Sequence, residues 1–87
     1  VGTTIIEKNN QCKINYTLNL IEIKDPHQEI ITAIIYTING IEINRYEFQM
    51  LSTQKTINIE HLSNGIYFIE LRDKKGIKTI QKLIVQY

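Results

Sequence analysis

The sequence predicts an all-β protein, an antiparallel β-sandwich of about seven strands. Isoleucine is abundant and alanine occurs only at Ala33, and β-branched side chains favour a pleated sheet over a helix. Several segments alternate apolar and polar residues with a period of two, as half-buried strands do. Turn-forming residues recur about every 8–12 residues, a spacing typical of a sandwich. These three observations carry the prediction.

The first two predicted strands run from Thr3 to Glu7 and from Lys13 to Leu20. In the second strand the apolar positions are Ile14, Tyr16, Leu18 and Leu20, separated by polar residues. After Leu20 the pattern changes phase, because Ile21 and Ile23 are apolar. A slip of one residue moves every later side chain to the opposite face, so we expect a bulge or a strand end near Leu20-Ile21.

A turn at Asp25-Pro26-His27-Gln28 precedes a strand that is apolar on both faces, Ile30 to Ile38. One face should carry Ile31, Ala33 and Ile35, and the other Ile30, Ile34, Tyr36 and Ile38. The pattern indicates either a central strand covered on both sides or a strand with one face against another domain. Asn39-Gly40 then predicts a hairpin with a type I′ turn, in which both central residues take positive φ. The return strand is Ile41 to Phe48.

Three more strands are predicted in the second half, with loops between them. Lys55 to Glu60 places Ile57 and Ile59 inward, and His61 to Gly65 forms a loop in which we expect Gly65 to take a positive φ. Ile66 to Arg72 places Tyr67, Ile69 and Leu71 on one face. The turn Asp73 to Gly76 leads into the last strand, Ile77 to Gln86.

Leu62 and Tyr67 resemble the tyrosine corner of immunoglobulin-like sandwiches. There the tyrosine ring packs inward, and its hydroxyl bonds to the backbone a few residues upstream. The alternative is a tyrosine that simply faces the core. The spacing therefore refines the predicted fold to an immunoglobulin-like sandwich.

Length and charge exclude several classes of protein. The chain has 87 residues, enough for one domain, and its net charge of +1 arises from interspersed charges of both signs, which does not favour nucleic acid as a partner. No apolar run approaches the roughly 18 residues that a membrane-spanning helix needs. Cys12, the one cysteine, cannot form an internal disulfide or a zinc site by itself.

The pattern of reactive residues does not predict an enzyme, a cofactor or a metal site. His27 lies in a predicted turn and His61 in a loop, and an exposed histidine is the more common case for each. Ser52 and Ser63 lack the context of a catalytic nucleophile. Carboxylates such as Glu42 and Glu47 are scattered over polar faces.

The segment from Thr56 to Gln86 resembles the C-terminal sorting domains of the type IX secretion system of Bacteroidetes. The resemblance rests on the Leu62-Ser63-Asn64-Gly65-Ile66-Tyr67 element, the glycine turn Asp73 to Gly76, and the terminal Lys82-Leu83-Ile84-Val85. The hairpin Ile35 to Ile43 is also similar to the family's, with Thr37 where aspartate is usual. The first third departs from it: Ile6 to Asn10 keeps Asn9 of a Tyr-Pro-Asn-Pro motif but lacks both prolines.

The resemblance implies that residues 1–87 are the C-terminal domain of a larger exported protein, an expectation that Val1 at the first position also favours. The implied partners are the type IX translocon, which carries the cargo from the periplasm across the outer membrane, and a surface sortase that joins it to anionic lipopolysaccharide. The residues implied in recognition are Leu62, Gly65, Tyr67, Gly76, Lys82, Leu83, Ile84 and Val85.

Physical reasoning suggests how the last residues, Lys82 to Tyr87, would be recognised. If their strand lies at a sheet edge, its free backbone groups can pair with a partner strand. The alternative is that Leu83 and Val85 belong to the core. Both can hold, because alternate residues of a strand face opposite ways.

Two other functions stay open. One is a retained module of the surface attachment complex that binds anionic lipopolysaccharide, and the missing prolines near Asn9 favour it. Its candidate anion-binding residues are Arg72, Lys74, Lys75 and Lys78. The other is a passive spacer, in which the doubly apolar strand Ile30 to Ile38 would contact a neighbouring domain.

Overall fold

The computed structural model describes the backbone of residues 5–7 and residues 11–49 and 52–87 in full. Eight strands occur in these ranges: β1 (Ile5–Glu7), β2 (Cys12–Asn15), β3 (Leu20–Lys24), β4 (Ile30–Thr37), β5 (Glu42–Glu47), β6 (Gln54–Asn58), β7 (Gly65–Asp73) and β8 (Lys78–Val85). Thr3 and Thr4 of the first predicted strand, and Lys8 to Asn10 of the motif that departs from the sorting family, lie outside the described residues. Within the described ranges, no helix is long and apolar enough to cross a membrane.

The strands form two sheets, which confirms the predicted sandwich. One sheet has five strands in the order β1-β8-β7-β4-β5, and the other has three in the order β2-β3-β6. Neighbouring strands are antiparallel, except that β1 runs parallel to β8 with Ile5 opposite Lys78. The long hairpin β7–β8 therefore lies inside the larger sheet.

The predicted strand from Lys13 to Leu20 is wrong, and so is the break after Leu20. The chain turns over Tyr16 to Asn19, so that β2 and β3 form an antiparallel hairpin with Asn15 opposite Leu20. The Oδ1 atom of Asn15 accepts hydrogen bonds from the amides of Thr17 and Leu18, at 3.0 and 3.2 Å. Asn19 takes a φ of 54°. An asparagine side chain that bonds nearby amides competes with strand pairing. The chain therefore turns here, although apolar and polar residues alternate as they would in a continuous strand.

The two hairpins of the larger sheet, β4–β5 and β7–β8, share one turn geometry. Gly40 has a φ of 84°, and its amide donates to the carbonyl of Thr37 at 2.9 Å. Gly76 has a φ of 83°, and its amide donates to the carbonyl of Asp73 at 3.1 Å. The hairpin at Asn39-Gly40 is confirmed, but the type I′ assignment is wrong, because Asn39 does not take a positive φ. The turn is instead closed by a single left-handed glycine.

The core lies between the sheets and is mostly isoleucine. Ile57 and Ile59 are buried as predicted, and Tyr67, Ile69 and Leu71 are buried together. In β4 the pairing with β7 shifts register between Ile30 and Thr32. As a result Ile30 joins Ala33 and Ile35 in the core cluster, whereas Ile31, which was expected on the face of Ala33, is exposed. A bulge of this kind changes which residues share a face.

Candidate recognition site

The last residues of the chain, Lys82 to Tyr87, are called the terminal segment below. They begin on β8 and continue past its end at Val85. Leu83 and Val85 are buried between the sheets, whereas Lys82 is exposed and Ile84 is 55% exposed. The alternation of a strand therefore divides the segment into residues that hold the fold and residues that face solvent.

The Leu62–Tyr67 element lies directly beside the terminal segment. Tyr67 pairs with Leu83, and Gly65 pairs with Val85, in the antiparallel register of β7 and β8. Leu62 and Tyr67 are both buried. The two motifs that resemble the sorting family in sequence thus form one continuous site, although about 15 residues of hairpin separate them along the chain.

Tyr67 forms the predicted tyrosine corner. Its hydroxyl donates a hydrogen bond to the carbonyl of Ser63 at 2.8 Å, four residues upstream, and lies 3.4 Å from the Ser63 hydroxyl. The ring packs in the core cluster. The loop between β6 and β7 is therefore fixed at the point where the chain passes from one sheet to the other.

The two glycines of the predicted site have different environments. Gly65 opens β7 without a positive φ, contrary to expectation. A Cβ atom on Gly65 would lie 3.7 Å from Cε2 of Tyr67, which is an ordinary contact. Gly76 needs its left-handed conformation, but it lies in the turn at the far end of the β7–β8 hairpin. The structure therefore groups Gly65 with the terminal segment and separates Gly76 from it.

The four candidate anion-binding residues differ in their surroundings. Arg72 and Lys78 are paired neighbours on β7 and β8, and the Nε atom of Arg72 lies 2.5 Å from the carboxylate of Glu70. Lys74 is an exposed turn residue. The Nζ atom of Lys75 lies 3.5 Å from the Glu29 carboxylate. Two of the four charges thus already face a carboxylate.

β8 has strand partners on both of its edges. Among the described residues, β1 pairs with β8 from Lys78 to Ile80, and β7 pairs with it from Lys78 to Val85.

Asn64 and Tyr87 hold the end of the terminal segment. Tyr87 was predicted only as a member of Lys82 to Tyr87, and the role of Asn64 was not predicted from the sequence. The amide of Tyr87 donates to Oδ1 of Asn64 at 2.9 Å. The hydroxyl of Tyr87 donates to the carbonyl of Ile59 at 2.8 Å. Neither contact has a local sequence signal, because the partners are 23 and 28 residues apart.

The two histidines have separate surroundings. His27 lines a cavity of about 330 Å³ between the β3–β4 and β7–β8 turns, with Asp25, Glu29, Asp73 and Thr79. The side chain of His61 contacts that of Asn44. Among the described residues, no group of three or more His, Cys, Asp or Glu side chains is placed to hold a metal ion.

Comparisons with known proteins agree with this fold and these motifs. Two solved structures from Clostridium perfringens, both containing the CBM51-2 and INT domains of ZmpB and one in complex with GlcNAc, match with TM-scores of 0.57 and 0.56. Each is 15% identical, and the match covers 98% of this chain but 18% of the solved chain. At that identity the similarity shows the fold. No curated protein matches the chain.

A family model described as the secretion system C-terminal sorting domain matches residues 7–86. The match includes the hairpin around Gly40, the Leu62–Tyr67 element and the terminal segment except its last residue. It is a family of type IX sorting signals rather than a class of enzymes. The chain belongs to the family of secretion system C-terminal sorting domains.

Proposed function

We propose that residues 1–87 are the C-terminal domain of a larger exported protein and direct it through the type IX translocon, from the periplasm to the cell surface. The observation that carries the proposal is the pairing of the Leu62–Tyr67 element with the terminal segment on β7 and β8. Motifs that are distant in the sequence are brought together only by folding. The signal is therefore read as a folded shape.

Within this site the proposal separates structural from contacting residues. Leu62, Tyr67, Leu83 and Val85 are buried and hold the sheets together. Lys82 and Ile84 project from the other face of β8 and are exposed. We assign contact with the translocon to these two side chains, since only exposed groups can meet a partner without unfolding the domain. Gly76 acts through its turn alone.

Surface attachment would follow export, with a sortase acting on the cargo and lipopolysaccharide as the acceptor. Direct binding of lipopolysaccharide by this domain is the weaker candidate. Arg72 and Lys75 face Glu70 and Glu29, so a phosphate group would compete with existing ion pairs at both positions. The passive spacer is weaker too, because a spacer has no need of the sorting-domain motifs that the family model matches over residues 7–86.

The experiment uses point variants, because deleting Leu83 to Tyr87 would also remove Leu83 and Val85 from the core. The 87-residue chain is fused behind an exported reporter in a host with a type IX system. Ile84→Glu should leave the reporter in the periplasm, because it places a charge on the contacting face. Ile41→Glu is the matched control: Ile41 is 64% exposed and lies in the β4–β5 turn, and this variant should be displayed normally. Normal display of Ile84→Glu would refute the assignment of Ile84 as a contact with the translocon.

A further inference from the structure

Tyr16 bridges two backbone groups of the terminal segment from across the molecule. Its hydroxyl donates a hydrogen bond to the carbonyl of Ile84 at 3.0 Å. The same oxygen accepts a hydrogen bond from the amide of Gln86 at 3.1 Å. Groups two residues apart on an extended chain point to the same side, so one hydroxyl satisfies the donor and the acceptor that a neighbouring strand would otherwise pair.

The ring of Tyr16 makes a second contact with the segment. It packs edge-to-face against the ring of Tyr87, with centroids 5.8 Å apart and planes at 80°. This is a favoured geometry for an aromatic pair. Tyr87 is itself fixed by Asn64 and by the carbonyl of Ile59. Four hydrogen bonds and one ring contact therefore hold the chain from Ile84 to Tyr87.

Burial of apolar side chains does not explain why the chain from Ile84 to Tyr87 is held in place. Ile84, Gln86 and Tyr87 are exposed, and Val85 is the last residue of the core. Beyond Val85 the position of the backbone thus depends on the polar contacts with Tyr16 and Asn64. An exposed segment with few buried apolar contacts opens easily unless such polar contacts hold it.

We propose that Tyr16 is a positioning residue of the sorting signal, and that the recognised surface is composite: Ile84 and Tyr87 in the docked conformation together with Tyr16. These three side chains are 55%, 55% and 43% exposed. The rings of Tyr16 and Tyr87 are in contact, and the hydroxyl of Tyr16 bonds to the backbone of Ile84. The partner is a protein of the secretion machinery with a complementary apolar face, which binds the folded domain rather than a free peptide. The inference rests on the proposed function, because it concerns how the same terminal segment is recognised.

Docking of the segment before recognition would favour binding. Ordering a flexible segment at an interface costs conformational entropy, and here Tyr16 and Asn64 have already ordered the backbone that carries Ile84 and Tyr87. Loss of the Tyr16 hydroxyl should therefore weaken recognition although no contacting side chain is lost. The β2–β3 turn, which holds Tyr16, is thereby part of the signal.

The test replaces Tyr16→Phe, which keeps the ring and removes both hydrogen bonds. Hydrogen exchange of the Gln86 amide should become at least about fivefold faster, because this amide loses the hydrogen bond to Tyr16 that opposes local opening. Display of the reporter fusion should fall severalfold. Tyr36→Phe is the control, because the described residues show no hydrogen bond to the Tyr36 hydroxyl; it should change neither measurement. Tyr87→Phe, which removes only the bond to Ile59, should act in the same direction as Tyr16→Phe.

The outcomes separate this inference from the proposed function. Faster exchange with unchanged display of Tyr16→Phe would overturn the composite surface, and unchanged exchange would overturn the positioning role. Neither result bears on whether export of the unaltered fusion depends on the translocon. Display of the unaltered fusion in a strain without the translocon would instead remove the proposed function itself.

Discussion

The side-chain amide of Gln81 pairs with the backbone of Cys12 in both directions, although 69 residues separate them. Its nitrogen donates to the carbonyl of Cys12 at 2.9 Å, and its oxygen accepts from the amide of Cys12 at 3.0 Å. Cys12 lies on β2, at the edge of the smaller sheet, and Gln81 lies on β8 of the larger one. The amide thus satisfies a buried sheet edge where no strand is paired in the described residues.

Replacing Gln81→Met should therefore destabilise the domain. It keeps the volume but leaves the buried amide and carbonyl of Cys12 without partners, and each such group costs about 1–3 kcal/mol. We expect urea denaturation to show an unfolding free energy lower by about 2–4 kcal/mol. Gln54→Met, at an exposed position, is the control and should be neutral. Equal stability of the two variants would contradict this role for Gln81.

Asp25 and Lys55 form a buried ion pair, with Nζ of Lys55 2.6 Å from the carboxylate. The same carboxylate accepts the amides of Glu29 and Ile30. Asp25→Asn alone strands a buried ammonium group and should cost about 3–5 kcal/mol. Adding Lys55→Met should recover part of the loss, because the second change removes the unpaired charge. A double-mutant cycle measures this coupling, and strictly additive effects would count against it.

The same pair predicts a loss of stability in acid. Burial by itself would raise the pKa of Asp25, but hydrogen bonds from Lys55 and from the amides of Glu29 and Ile30, with the charge of Lys55, hold the pKa below its usual value. A lowered pKa contributes stability that is present above the unfolded value, about 3.9, and is lost as the pH falls towards the folded value. Unfolding free energy measured from pH 6 to pH 2 should show this loss below about pH 4. The Asp25→Asn/Lys55→Met variant should show a shallower decline, and an identical pH profile would be inconsistent with the assignment.

Cys12 should be inert to thiol reagents while the domain is folded. Burial raises the pKa of its thiol to about 12, so the reactive thiolate is scarce at neutral pH. Alkylation by iodoacetamide should be slow in buffer and fast in denaturant, as measured by mass spectrometry. Rapid labelling of the folded chain would show that β2 opens readily.

The parts of the fold that sequence analysis predicted depend on local patterns. Tyr67 follows Leu62 at a spacing that specifies the corner, and Gly40 and Gly76 mark turns because their backbones need a positive φ. The parts that it missed depend on competition or on distance. Asn15 ends a strand that alternation would continue, since its side chain bonds the next amides. The bulge at Ile31 is not predicted by the local sequence pattern.

The candidate site, like the fold, was predicted where a local motif marks it and was missed where it depends on contacts between distant residues. Lys82 to Val85 were identified from their resemblance to the sorting family, and the register of β7 and β8 places them beside Leu62 and Tyr67. Tyr16, Asn64 and Gln81 were missed, because each acts on backbone atoms 23 or more residues away. A single sequence carries no spacing rule for such contacts. Only the packing of the two sheets brings them together.

The central claim is that the folded domain is an address for the type IX translocon. The most direct measurement compares surface display of the reporter fusion in a type IX-competent host and in an isogenic strain that lacks the translocon. The account predicts surface display in the first strain and periplasmic retention in the second. Display in both strains, or retention in both, would contradict it.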